Sequence, residues 1–145
     1  MKTFTTFFGS LVAGAALVAQ ISSARTDIKV KVAGIKNDTG QIILMLFDSE
    51  PGFPSDMERA YKLVKLPAAK GGLSYTFKEI PFGTYAVTVG HDENGNDELD
   101  KNFLGLPKER VGVSHQTSFG KPNFQRSKFE LSDKKTLDLT VTFLN

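Results

Sequence analysis

Apolar and polar residues alternate with a period of two along most of this 145-residue chain, a pattern that builds strands and leaves no convincing helix of normal length. Ile28, Val30 and Val32 alternate with Lys29 and Lys31. Leu73, Tyr75 and Phe77 alternate with Ser74, Thr76 and Lys78, and Leu137, Leu139, Val141 and Phe143 with Asp138, Thr140 and Thr142. Successive side chains of a strand point to opposite faces, so each run offers one apolar face to a core. Residues 41 to 48, Gln-Ile-Ile-Leu-Met-Leu-Phe-Asp, are apolar on both faces and predict a central strand, paired across a short hairpin (Asn37-Asp38-Thr39-Gly40) with the strand before it.

Turn residues punctuate the rest. Pro51, Gly52 and Pro54 predict a loop with at most one helical turn over 49 to 60, Ala68-Ala69-Lys70-Gly71-Gly72 a flexible turn, and Pro81-Phe82-Gly83 a break. Tyr85, Val87, Val89 and His91 then start a new strand. Further strands are expected over 61 to 66, over 124 to 131 and over 136 to 144. Between 92 and 123 regular alternation is lost apart from Val111-Gly112-Val113, and a loop region of that length inside one domain is often functional. About seven short strands separated by turns predict an all-β fold, a single β-sandwich with a long acidic loop region.

The first 24 residues read as a secretory signal peptide. They comprise a basic start at Lys2, an apolar run through Leu11-Val12-Ala13-Gly14-Ala15-Ala16-Leu17-Val18-Ala19, and small residues before a cut after Ala24. That run is shorter than the roughly 20 residues a membrane-spanning helix needs. The expectation is therefore an exported, periplasmic or extracellular domain over residues 25 to 145, with no membrane insertion after cleavage. The chain has no cysteine, so neither a disulfide nor a lipid-bearing cysteine is available, and the core alone must hold the fold. With Lys2 gone, 17 basic residues face 16 acidic ones. A near-neutral balance without a basic cluster argues against nucleic acid as a partner and gives no reason to expect an anionic membrane surface.

Residues 91 to 100, His-Asp-Glu-Asn-Gly-Asn-Asp-Glu-Leu-Asp, carry the most specific chemistry. Asp92, Asn94, Asn96, Glu98 and Asp100 fall at positions 1, 3, 5, 7 and 9, the spacing at which a curled loop turns successive oxygens toward one hard cation. Calcium suits such a set, since it takes six to eight oxygens in tolerant geometry. Position 7 usually contributes its backbone oxygen, so the Glu98 side chain need not be a ligand. Two departures predict weak affinity, roughly 10⁻⁴ to 10⁻³ M: position 6 is Asp97 rather than glycine, and position 12 is Phe103 rather than a bidentate glutamate. The competing reading makes Asn94-Gly95 a two-residue hairpin turn with solvated acids around it. His91 is expected to act from behind the ligands, its imidazole bonding the loop and holding Asp92 in place.

Signal peptide, Gly40-Gln41-Ile42-Ile43-Leu44, Phe47-Asp48, Ile80-Pro81-Phe82-Gly83-Thr84-Tyr85-Ala86-Val87, His91-Asp92-Glu93-Asn94-Gly95-Asn96, Leu99-Asp100 and Asn102-Phe103-Leu104-Gly105-Leu106-Pro107-Lys108-Glu109 together resemble the bacterial DUF2141 family, over about residues 28 to 144. The resemblance implies an exported, periplasmic sandwich, transthyretin-like or immunoglobulin-like, and brings little biochemistry. It also implies that Pro81-Phe82-Gly83 starts an edge strand, with a positive φ at the glycine and Tyr85 packed over the corner. Glu109-Arg110-Val111-Gly112-Val113-Ser114 departs from the family's glycine- and aromatic-rich version of that stretch.

Three functional classes remain. The first is a non-enzymatic envelope module, binding an envelope protein or a small ligand through loops 48 to 56, 91 to 107 and 114 to 123 taken as one face, with calcium ordering the loop. The second is a metal-dependent cell-envelope enzyme using His91, Asp92 and His115; no nucleophile-elbow pattern surrounds Ser114, so no catalytic residue is assigned. The third is a structural domain whose acidic loop is only a turn. Phe53, Phe82, Phe103 and Phe119 mark a binding surface if they cluster exposed, and lids of the core if buried.

Overall fold

The computed structural model describes residues 23 to 104, 108 to 116, 120 to 133 and 135 to 144, so the expected signal segment lies almost wholly outside the described residues. Among the described residues eight strands form: β1 (Arg25–Ile35), β2 (Gln41–Phe47), β3 (Lys62–Pro67), β4 (Gly71–Pro81), β5 (Gly83–Asp92), β6 (Val111–Val113), β7 (Phe129–Leu131) and β8 (Leu137–Thr142). One sheet has the order β4-β1-β8. The other has the order β3-β2-β5-β6, with β7 added alongside the start of β5.

The sheets pack face to face as an all-β sandwich. Ile28, Val30 and Val32 of β1 meet Ile42, Leu44 and Leu46 of β2 and Tyr85, Val87 and Val89 of β5 in the main core, as the alternation requires. β2 is apolar on both faces because its other face also has a cover. Ile43, Met45 and Phe47 lie in a second cluster with Ala86, Leu99 and Phe124, closed by Phe53, Met57 and Ala60. The sheets also join along one side, where Gly112 pairs with Phe143 and the Leu144 N–H donates to the Val111 carbonyl (2.9 Å).

Three expectations are corrected. β1 does not pair with β2: it pairs antiparallel with β4 and parallel with β8, while β2 pairs with β3 and β5. Residues 36 to 40 cross between the sheets, which sets the apolar faces of β1 and β2 opposite one another. The expected strand over 124 to 131 starts instead as a short helix, α1 (Phe124–Ser127), because the Asn123 carboxamide accepts the Arg126 N–H (3.3 Å) and caps it; only β7 is extended. The brief Val111-Gly112-Val113 segment keeps its extended character as β6, its three residues all buried. Finally, Gly83 opens a central strand rather than an edge and has no positive φ, although the Tyr85 hydroxyl does close the corner, donating to the Pro81 carbonyl at 2.9 Å. Met57–Arg59 forms the single helical turn expected in the loop after β2.

Candidate functional site

β5 ends at Asp92, directly opposite Gln41 at the start of β2. The next strand along the chain, β6, begins at Val111, so Asn94-Gly95 does not make a two-residue hairpin. The intervening loop is organised by the Asp92 carboxylate, which is fully buried. One oxygen accepts the Gly95 and Asn96 N–H groups (2.8 and 3.3 Å). The other accepts the Asp97 N–H (2.9 Å) and the Gln41 carboxamide Nε2–H (2.7 Å). A carboxylate with four donors is well compensated for burial.

Asp97 stands where a glycine was expected and adopts the glycine-like conformation, φ +68°. Aspartate tolerates the left-handed region better than most residues. Gln41 Nε2 (2.7 Å) and the Lys65 ammonium (2.9 Å) both donate to its carboxylate and hold its pKa below the usual aspartate value, the lysine bond being the larger cause.

The structure brings Asp92, Asn94, Asn96 and Asp100 together. The carboxamide Nδ2 groups of Asn94 and Asn96 donate to the two oxygens of Asp100 (2.8 and 3.0 Å), while their Oδ1 atoms accept the Asn96 and Glu98 N–H groups (both 3.1 Å). The Glu98 residue is exposed and enters this network through its backbone. Leu99, the apolar residue inside the acidic run, drops into the second cluster and anchors the loop to the sheet. Among the described residues no group of three or more His, Cys, Asp or Glu side chains is arranged to hold a metal ion, so a cation here would draw on carboxamide and backbone oxygens as well.

Glu109 escaped the sequence reading. Its two oxygens accept the Glu93 and Asp100 N–H groups (both 3.2 Å), bracing the loop from the far side. Burial raises its pKa, with the Asp92 and Asp100 charges adding and the two N–H groups opposing. Neither Glu109 nor its partners share a local pattern in sequence; nor do Gln41 and Lys65, which reach the loop from β2 and β3.

His91 is fully buried, yet it does not hold Asp92. Its Nε2–H donates to the Thr39 carbonyl (2.8 Å), fastening the crossover beneath the loop, and its Nδ1 lies 3.6 Å from a Glu93 oxygen. His115 is exposed and lies elsewhere: it follows Ser114, whose N–H donates to the Val87 carbonyl, four residues or about 14 Å back along β5 from His91. The structure therefore does not bring His115 to His91 and Asp92. The buried Ser114 hydroxyl donates to the Ser127 carbonyl (2.6 Å) and accepts the Val87 N–H (2.9 Å), tying α1 to β5.

The described parts of the three loops do not form one face; residues 105 to 107 and 117 to 119 lie outside the described residues. Gln41 and Asp92 mark one end of the second sheet, Phe47 and Ala86 the other. Residues 48 to 56 leave from the Phe47 end and 120 to 123 lead into α1, which packs there, whereas the acidic loop sits about 20 Å away by strand rise. Phe53 is a lid, edge-on to Phe47 (5.5 Å) and Phe124 (5.7 Å), and Phe82 packs on the main core. Phe103 is 95% exposed, with Leu104 beside it at 68%, and Phe119 lies outside the described residues.

The raised Glu109 pKa makes stability depend on pH. The native state keeps a proton that the unfolded chain releases near its usual value of about 4.3, so this group's contribution is full below that pH and falls as pH rises toward its native pKa. In chelator, the stability of the unaltered protein relative to Glu109→Gln is expected to decline from pH 4 upward, as followed by urea unfolding. A pH-independent difference would refute the assignment.

Comparison with known proteins returns one family model, described as "Uncharacterized protein conserved in bacteria (DUF2141)", matching residues 30–138. No curated protein and no solved structure matches the chain.

Proposed function

The chain belongs to the DUF2141 family, and from that premise we propose that it is an exported β-sandwich module whose loop from Asp92 to Asp100 is ordered by a weakly bound calcium-type cation, serving the cell envelope by binding rather than catalysis. The observation carrying this reading is the convergence of Asn94, Asn96 and Asp100 above a buried, preorganised Asp92. Without an ion, the Asp100 carboxylate is met by two carboxamide dipoles. A cation would take their place, drawing on the Asp100 carboxylate and nearby carboxamide and backbone oxygens, with Asp92 shaping the loop and Glu109 the nearest further carboxylate.

Residues 92 to 110 and Lys65 together carry six carboxylates against four cationic side chains, an excess of two negative charges that one divalent ion neutralises. The ion's role would be structural, and its effect on the adjoining exposed Phe103-Leu104 segment would be to hold it in one place for a partner.

The test is thermal unfolding in chelator and then in 10 mM calcium or magnesium. With a dissociation constant between roughly 10⁻⁴ and 10⁻³ M, calcium adds about 1.4 to 2.7 kcal/mol of stability, a midpoint rise of several degrees. The rise is expected to vanish in Asp100→Asn, whose carboxamide keeps the shape and loses the charge. No shift with either ion would sink the proposal.

A further inference from the structure

At the opposite end of the sheet from the acidic loop, Glu50, Phe53, Lys121, Pro122, Asn123, Phe124 and Arg126 line an open cleft of about 350 Å³. We propose that this cleft binds a small organic anion with a flat, apolar body, an aromatic carboxylate being the simplest member of the class.

Size comes first. The volume lies at the low end of small-molecule sites and accommodates a body of about one ring. Part of the floor is aromatic: half-buried Phe53 stands edge-on to the buried Phe124 at 5.7 Å and is backed by the fully buried Phe47 at 5.5 Å, so that Phe53 is held in place and offers ring surface to a flat guest. The rim is cationic. Lys121 and Arg126 are both exposed, and neither takes part in an ion pair among the described residues, so an incoming carboxylate meets two uncommitted cations.

Both walls are built before a ligand arrives. The Phe53 N–H donates to the Glu50 carbonyl (3.1 Å), closing a turn in one wall. In the other, the Asn123 side chain caps α1, and Lys128 N–H donates to the Phe124 carbonyl (2.9 Å). Preformed walls lower the ordering cost of binding.

Glu50 sets the specificity. Its carboxylate accepts Gln125 Nε2–H (3.3 Å), which fixes the position of that carboxylate on the rim. A monoanion can lie toward Lys121 and Arg126 and away from it, whereas a dianion or a nucleic-acid backbone meets repulsion. The cleft is concave and about 20 Å from the acidic loop, so its occupancy stands apart from the cation reading.

The test is a titration of the ¹⁵N-labelled protein with benzoate, with benzyl alcohol as ring without charge and acetate as charge without ring. Benzoate is expected to give saturable amide shifts confined to residues 50 to 53 and 121 to 126, the same in chelator and in calcium, and to bind about tenfold or more tightly than either control. The double replacement Lys121→Gln and Arg126→Gln alters only exposed side chains, its fold checked by an unchanged spectrum elsewhere, and is expected to weaken benzoate at least about tenfold. Glu50→Gln is expected to strengthen it. The proposal is overturned by absence of saturation, by acetate matching benzoate with shifts spread over surface lysines, or by undiminished binding in the double variant.

Discussion

Replacing Asp92 by alanine is expected to lower the unfolding free energy by about 3 kcal/mol, and the thermal midpoint by roughly 10 °C, even with no cation present. The carboxylate is fully buried and accepts from Gly95, Asn96, Asp97 and Gln41. Hydrogen bonds to a charged acceptor each contribute about 1.5 to 3 kcal/mol. Water can reach some of the freed loop N–H groups, and Gln41 keeps Asp97 as an acceptor, so the loss is well below four times that figure. Asp92→Asn keeps the shape but turns an NH₂ toward at least one N–H donor, and is expected to fall almost as far. Urea unfolding with an unchanged slope measures the loss. A change under 0.5 kcal/mol in chelator would remove Asp92 from the centre of the loop.

Gly40→Ala carries the second large effect, about 3 to 4 kcal/mol. Gly40 has φ +70°, where alanine pays about 1 to 2 kcal/mol. A Cβ there would also collide with the Asp92 carbonyl oxygen and stand 2.9 Å from the Glu93 Cα and carbonyl oxygen. These are backbone atoms, so relief requires moving the start of the acidic loop off the crossover. Gly95→Ala supplies the control: its φ is +68° and a Cβ there meets open space, so only the conformational cost applies. The difference between the two variants measures the close approach. Amide shifts in Gly40→Ala should concentrate at residues 91 to 97; equal losses in both variants would show that the contact is soft.

The curled loop was legible because its spacing is local. Asp92, Asn94, Asn96 and Asp100 need only a few residues of chain to converge, and the gathering of their side chains follows from that spacing. What Asp97 does in a glycine's place was not legible. Its left-handed backbone is held by Gln41 and Lys65, which approach from strands more than 30 residues earlier in the chain. Glu109 was missed for the same reason: it meets Glu93 and Asp100 only because β6 returns beside β5. The resemblance of individual stretches to a known family gave the sandwich but placed Gly83 on an edge strand, whereas pairing on both sides makes β5 central.

By itself the sequence determined most of the strands, that their faces must bury against another sheet, and that one acidic loop curls on itself. All three follow from side-chain period and turn chemistry, which act over a handful of residues. The tertiary structure alone decided that β1 pairs with β4 and β8, that the loops once read as one face lie at opposite ends of a sheet, and that His115 stands apart from His91. Strand partnership joins distant residues through backbone hydrogen bonds common to nearly every residue type. The local pattern therefore fixes a strand's face without specifying its neighbour.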